Sequence, residues 1–149
     1  MEEMDKDTYM DNTDVAASKR KSNPSTKVHE ITSKTIKTPP FSYALLRLKS
    51  EATTEPQLDE LTARSYITSA LTQFLGLTGS AISIDLLKID GSECWIRMPR
   101  EDLSPVIAAL GGWVRNINGK ERVGWRVVGS GNWLSTLVGN RGIEKVWSA

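Results

Sequence analysis

The chain has 149 residues, 39% of them hydrophobic and 25% charged, with a formal net charge of +1, one cysteine and one histidine. That length holds one domain with a tail, and so few Cys and His residues exclude an internal disulfide and a Cys/His structural zinc site. The balance of charge is weaker than the strongly basic one expected of an autonomous nucleic-acid binder, and no apolar run reaches the ~18 residues of a membrane span.

The charge is unevenly distributed. Residues 1–14 carry six acids and one base, and residues 15–40 carry six bases and one acid. Residues 41–113 carry nine acids and six bases, and residues 114–149 carry six bases and two acids. The basic surfaces therefore belong to a tail segment and to the C-terminal quarter. The acidic, polar start MEEMDKDTYMDNTD does not read as a signal peptide, and the lone Cys94 fits a reducing compartment.

Residues 1–38 are rich in Ser, Thr, Asp and Lys and poor in apolar clusters. Such a segment buries too little surface to offset its ordering entropy, so it is expected to be a disordered tail. Lys19-Arg20-Lys21 within it reads either as a nuclear-import address or as a solvated charge run. Pro39 and Pro40 punctuate the chain before a domain expected over residues 39–128, with a C-terminal extension over 129–149.

Phe41 to Leu48 predicts the first strand. Thr54, Pro56 and Gln57 read as a helix start, and Ala63, Ile67, Ala70, Leu71 and Phe74 then share one helical face up to a stop at Gly76. Ala81 to Ile89 predicts a second strand, Asp90-Gly91 a tight hairpin, and Glu93 to Met98 a third strand ended by Pro99. Leu103, Val106, Ile107 and Leu110 repeat at helical spacing before Gly111-Gly112. Asn118-Gly119 predicts a turn, and Val123, Trp125 and Val127 alternate with Arg122, Gly124 and Arg126 as a fourth strand. Trp133 to Val138 reads as a short helix or extension.

The order β-α-β-β-α-β with right-handed crossovers predicts an α+β fold: a ferredoxin-like, RRM-like sandwich of a four-stranded antiparallel sheet with two helices on one face. Its first and third strands are central neighbours.

Catalytic chemistry is hard to find. His29 falls in the expected tail, where nothing holds it against a target. Cys94 lacks a structured histidine partner and alternates inward, as a core residue. No carboxylate set has metal-ligand spacing, and no glycine run matches a phosphate loop. Lys49-Ser50-Glu51-Ala52 after the first strand is not the glycine-rich arginine loop of an acylphosphatase. No enzyme activity, metal or cofactor is expected of the chain alone.

Alternation supplies the candidate site. If Ala44, Leu46, Leu48, Cys94, Ile96 and Met98 face the helices, then Tyr43, Leu45, Arg47, Trp95 and Arg97 face away, joined by Arg122 and Arg126. Tyr43, Arg47, Trp95, Arg97 and Arg126 are the expected partner- or RNA-binding residues, since aromatics and arginine suit both base stacking and protein hot spots. The third alternative is that Trp133, Leu134, Leu137 and Val138 fold back over this face. Glu93 to Met98 lacks the paired aromatics and glycine-rich pattern of an RNA-recognition third strand.

Several segments together resemble a known family. Pro39-Pro40-Phe41-Ser42-Tyr43 opens the first strand, and Ala70 to Gly79 (ALTQFLGLTG) closes the first helix. Leu87 to Asp90 precedes Glu93 to Asp102 (ECWIRMPRED), and Ala108-Ala109-Leu110 follows. This pattern, over roughly residues 39–128, resembles the fungal small protein subunit of ribonuclease P and ribonuclease MRP, the eighth Processing-of-Precursors subunit, related to the fifth. The resemblance implies an accessory subunit of an RNA-based endoribonuclease acting on precursor tRNA and precursor rRNA, with the catalytic centre in the RNA. It implies a larger paralogous subunit as partner, contact with the particle's RNA that is direct or through other subunits, and a nuclear, nucleolar location. It carries over no catalytic residue; Phe74, Leu75, Gly76, Trp95, Ile96, Ala109 and Leu110 map as packing positions.

Overall fold

A computed structural model describes residues 31–147. The chain divides between Thr35 and Ile36 into two units, and the fold below belongs to the second. Residues 1–30 of the expected tail, including Lys19-Arg20-Lys21 and His29, lie outside the described residues.

Five strands form one sheet: β1 (Phe41–Ser50), β2 (Asp85–Asp90), β3 (Glu93–Pro99), β4 (Val114–Ile117) and β5 (Glu121–Gly131). Their order is β2-β3-β1-β5-β4, with every neighbouring pair antiparallel. Helices α1 (Glu60–Ser80) and α2 (Leu103–Gly112) follow β1 and β3, and α3 (Leu134–Trp147) follows β5. The first, third and last expected strands sit where the ferredoxin-like order puts them. The sheet has five strands rather than four because Val114–Ile117 forms a hairpin with β5 beyond it. Asn118 (φ 52°) and Gly119 (φ 69°) supply the left-handed backbone of that turn, whose three residues, Asn118 to Lys120, separate the paired Ile117 and Glu121.

Apolar alternation on β1 and β3 builds the main core. Ala44, Leu46, Leu48, Cys94, Ile96 and Met98 are buried against Ala63, Ile67, Ala70 and Leu71 of α1 and Val106, Ala109 and Leu110 of α2. Val123 and Trp125 of β5 close this layer, together with Trp113, whose ring lies 5.2 Å from that of Tyr66 at a tilt of 42°.

Two local expectations move. The first helix starts at Glu60, not near Thr54. Asp59 caps it by accepting a hydrogen bond from the Thr62 amide at 3.2 Å, which holds the Asp59 carboxyl below its ordinary range. The Thr54 segment stays an irregular, bent loop, because Leu58 is buried and its N–H donates to Gly91 O at 3.0 Å. The second strand begins at Asp85 rather than Ala81 because α1 continues past its kink. Gly76 breaks the helix (φ 62°, ψ −143°), as the stop signal requires, and a further turn then runs to Ser80.

Candidate functional site

The sheet's second face is not open at its centre. α3 crosses it, and Leu137 packs on Leu45 and Trp95, which are 2% and 7% exposed. Leu45 is therefore not the exposed leucine that alternation alone predicts. The segment that covers it, Leu134 to Trp147, contains the Leu134, Leu137 and Val138 named in the third alternative. Gly129 stands opposite Leu45 on β5, and a Cβ there would lie 3.1 Å from Leu137 Cδ2, so the glycine gives that leucine its seat.

A β-bulge precedes this seat: Leu46 pairs with Val127 but Leu45 with Gly129. The extra residue, Val128, turns onto the second face and packs against the Leu45, Trp95 and Leu137 cluster, as does Tyr43.

The charged residues around this cluster are largely committed. Glu93, 7% exposed, accepts from Arg47 Nε at 3.0 Å and from its terminal nitrogen, and from Arg141 of α3 at 2.6 Å. One carboxylate thus ties β3 to β1 and to α3. Arg97 donates twice to Asp85 of β2, at 3.0 and 2.8 Å, and its guanidinium lies 4.5 Å over the Phe41 ring. Arg126 stands directly opposite Arg47 and is exposed, with no ion pair among the described residues. Of the five expected site residues, Trp95 is a buried anchor, Tyr43, Arg47 and Arg97 are half-buried braces, and Arg126 alone faces solvent freely.

Between α3 and the β2 edge lies a groove of about 580 Å³ lined by Leu87, Lys88, Asp90, Trp95, Leu134, Val138 and Arg141. Leu87, Leu134 and Val138 are 42%, 37% and 55% exposed, an apolar strip rimmed by charge. Arg141 also lies 5.8 Å over the Trp95 ring. Sequence reading did not single out Glu93, Leu87 or Arg141 as site residues. The i, i+3, i+4, i+7 spacing of Leu134, Leu137, Val138 and Arg141 is the signal that places the last with the others.

Burial pushes the Cys94 thiol up to about 12, far from a nucleophile's range. Among the described residues no group of three or more His, Cys, Asp and Glu gathers as a metal-binding set, and no helix is long and apolar enough to cross a membrane.

The fold is an α+β sandwich, with two helices on one face of the sheet and a third strapped across the other. Residues 40–113 match the family model described as "Ribonucleases P/MRP protein subunit Pop8". Over those residues the chain is Pop8-like. Among solved structures, a chain of the "Cryo-EM structure of yeast Ribonuclease MRP" is similar at 15% identity with a TM-score of 0.58, over 75% of this chain and 97% of that one. At that identity the likeness is one of fold. No curated protein matches the sequence.

Proposed function

We propose that this chain is a non-catalytic protein subunit of the ribonuclease P and ribonuclease MRP particles. In that role it supports precursor tRNA 5′ processing and precursor rRNA processing in the nucleus and nucleolus, by scaffolding with a larger paralogous subunit. The family match supports membership of the particle. The observation that favours a scaffold over an autonomous RRM-like module is the closure of the second face. A base-stacking sheet needs the aromatics of its central strands open, whereas here Leu137 covers Trp95. What that closure creates is the groove beside α3, whose exposed Leu87, Leu134 and Val138 suit a protein partner. Tyr43, Arg47, Trp95 and Arg97 then act by holding α3 and the β2 edge in the geometry that forms the groove.

The test is affinity purification of the tagged full chain from cells, with its RNAs and proteins identified. Recovery of the ribonuclease P and MRP RNAs with a larger paralogous protein supports the reading. Replacing Leu134 and Val138 by Ser should release that protein while leaving the fold intact by circular dichroism. A stable assembly lacking both RNAs would sink it.

A further inference from the structure

The end of the second face that α3 leaves uncovered collects cations. Arg47 and Lys49 of β1 alternate onto this face, and the register sets Arg47 against Arg126 and Lys49 against Gly124. Arg122, two residues from Gly124 along β5, is on the same face. Among the described residues these four cations stand against two carboxylates: Glu93, which takes Arg47 and Arg141, and Glu51, which accepts from Arg122 Nε at 2.9 Å. Lys49, Arg122 and Arg126 are all exposed. Lys49, Arg122, Val114 and Gly124 border a shallow depression of about 330 Å³, and the missing side chain at Gly124 keeps it low.

The placement of Arg126 is costly for folding alone. Like charges directly opposite on an antiparallel pair repel, and Glu93 relieves only the Arg47 side. A neutral residue at 126 would stabilise the sheet, so the arginine points to a ligand that supplies negative charge. The spacing is that of a backbone rather than a single anion. Exposed cations lie along two neighbouring strands, about 3.3 Å per residue, with no buried polar group to enclose a small ligand.

We infer that Lys49, Arg122 and Arg126 hold the phosphate backbone of a structured RNA, on the side of the sheet away from the α3 groove. This deepens the proposed function and rests on it: the groove docks protein, and the cationic strip fixes the RNA's register without reading its bases. Such contacts are salt-sensitive, because each neutralised phosphate releases condensed counterions.

The experiment uses the full chain in its particle. Cells express tagged wild type or the double variant Lys49→Glu/Arg126→Glu, and ultraviolet cross-linking then reports RNA joined to this subunit. The variant should keep its protein partners, lose cross-linked RNA at least tenfold, and leave the RNA at lower salt than wild type. Glu at 126 would face Arg47, so the fold should survive; Lys49→Gln/Arg126→Gln, with a thermal melt, guards against a folding artefact and should give a smaller loss of the same sign. Arg100→Glu, at an exposed position just after β3 and outside both the groove and the cationic strip, should leave cross-linking unchanged. Unchanged cross-linking in the double variant overturns the inference, as does a wild-type chain that co-purifies with the RNA yet never cross-links to it. Failure of wild type to recover the RNAs and the protein partner defeats the proposed function instead.

Discussion

Leu137 reaches the sheet because Gly129 has no side chain: a Cβ at that position would sit 3.1 Å from the leucine's Cδ2. The contact is what turns a two-layer sandwich into one with a strap. A valine at 129 would force α3 outward or Leu137 off its rotamer, at about 1–3 kcal/mol. We expect Gly129→Val to leave the main core folded while Leu45 and Trp95 become accessible. Hydrogen exchange should show faster exchange in α3 with little change in α1 and α2. Uniform loss of protection across all helices would mean that α3 is integral to the core rather than a strap on it.

Glu93 is the other fastening. Its two carboxylate oxygens answer Arg47 and Arg141 separately, so Glu93→Gln weakens both links at once. Hydrogen bonds to charged groups contribute about 1.5–3 kcal/mol. The partial exposure of both arginines puts the expected cost near the lower end, because solvent screens them. Chemical denaturation should show this loss, and raised salt should lower the stability of wild type more than that of the variant. Equal salt responses would show that the ion pairs are energetically idle.

The central order of the sheet is legible in the sequence because β1 and β3 are long, apolar and bounded by Pro and turn residues. β4 is not legible. It has four residues, of which Val114, Arg115 and Asn116 are exposed, so no alternation marks it; only its turn, Asn118-Gly119, leaves a signal. The covered face is half legible. Strand alternation correctly separates Leu45 and Trp95 from the main core, but whether that face meets solvent depends on where a later helix lands. Two facts decide that: the small residue at Gly129 and the bulge that rotates Val128. Neither is periodic. The Thr54 cap fails for a similar reason, since a contact from Leu58 to Gly91, distant in sequence, overrides local chemistry.

The glycines of α1 separate two kinds of constraint. Gly76 needs a backbone conformation that side chains rarely adopt, and Gly76→Ala should cost about 1–3 kcal/mol. At Gly79 a Cβ would lie 2.3 Å from the Leu71 carbonyl oxygen, which is backbone and cannot swing aside. Gly79→Ala should therefore cost more than Gly76→Ala and shift the β2 edge that follows. Gly111 in α2 has neither constraint: a Cβ there would meet nothing within 4 Å, and its φ is ordinary. Gly111→Ala should stabilise the fold by about 0.4–1 kcal/mol. Thermal melts of the three variants check the ranking, and a stabilised Gly79→Ala would contradict the packing.

Cys94 gives the fold a signature at alkaline pH. Its side chain is enclosed between the sheet and the helices, and burial pushes its thiol from 9.0 to about 12. The folded state therefore keeps a proton that the unfolded chain releases above its ordinary thiol value. The sign follows from proton counts: between about pH 9 and pH 12 the folded state binds more protons, so stability falls as pH rises. One proton's difference corresponds to about 1.4 kcal/mol per pH unit. Below pH 9 both states hold the proton, and the contribution is constant. Cys94→Ala removes this slope, although the lost sulfur leaves a small cavity and lowers stability at neutral pH. Denaturation of both proteins at pH 8 and pH 10.5 should show wild type losing about 2 kcal/mol more than the variant over that interval. Lysines and tyrosines titrate in the same range but are common to both proteins, so the difference isolates the thiol. Parallel losses would mean that Cys94 meets solvent in the folded state, and a thiol reagent would then modify it without unfolding.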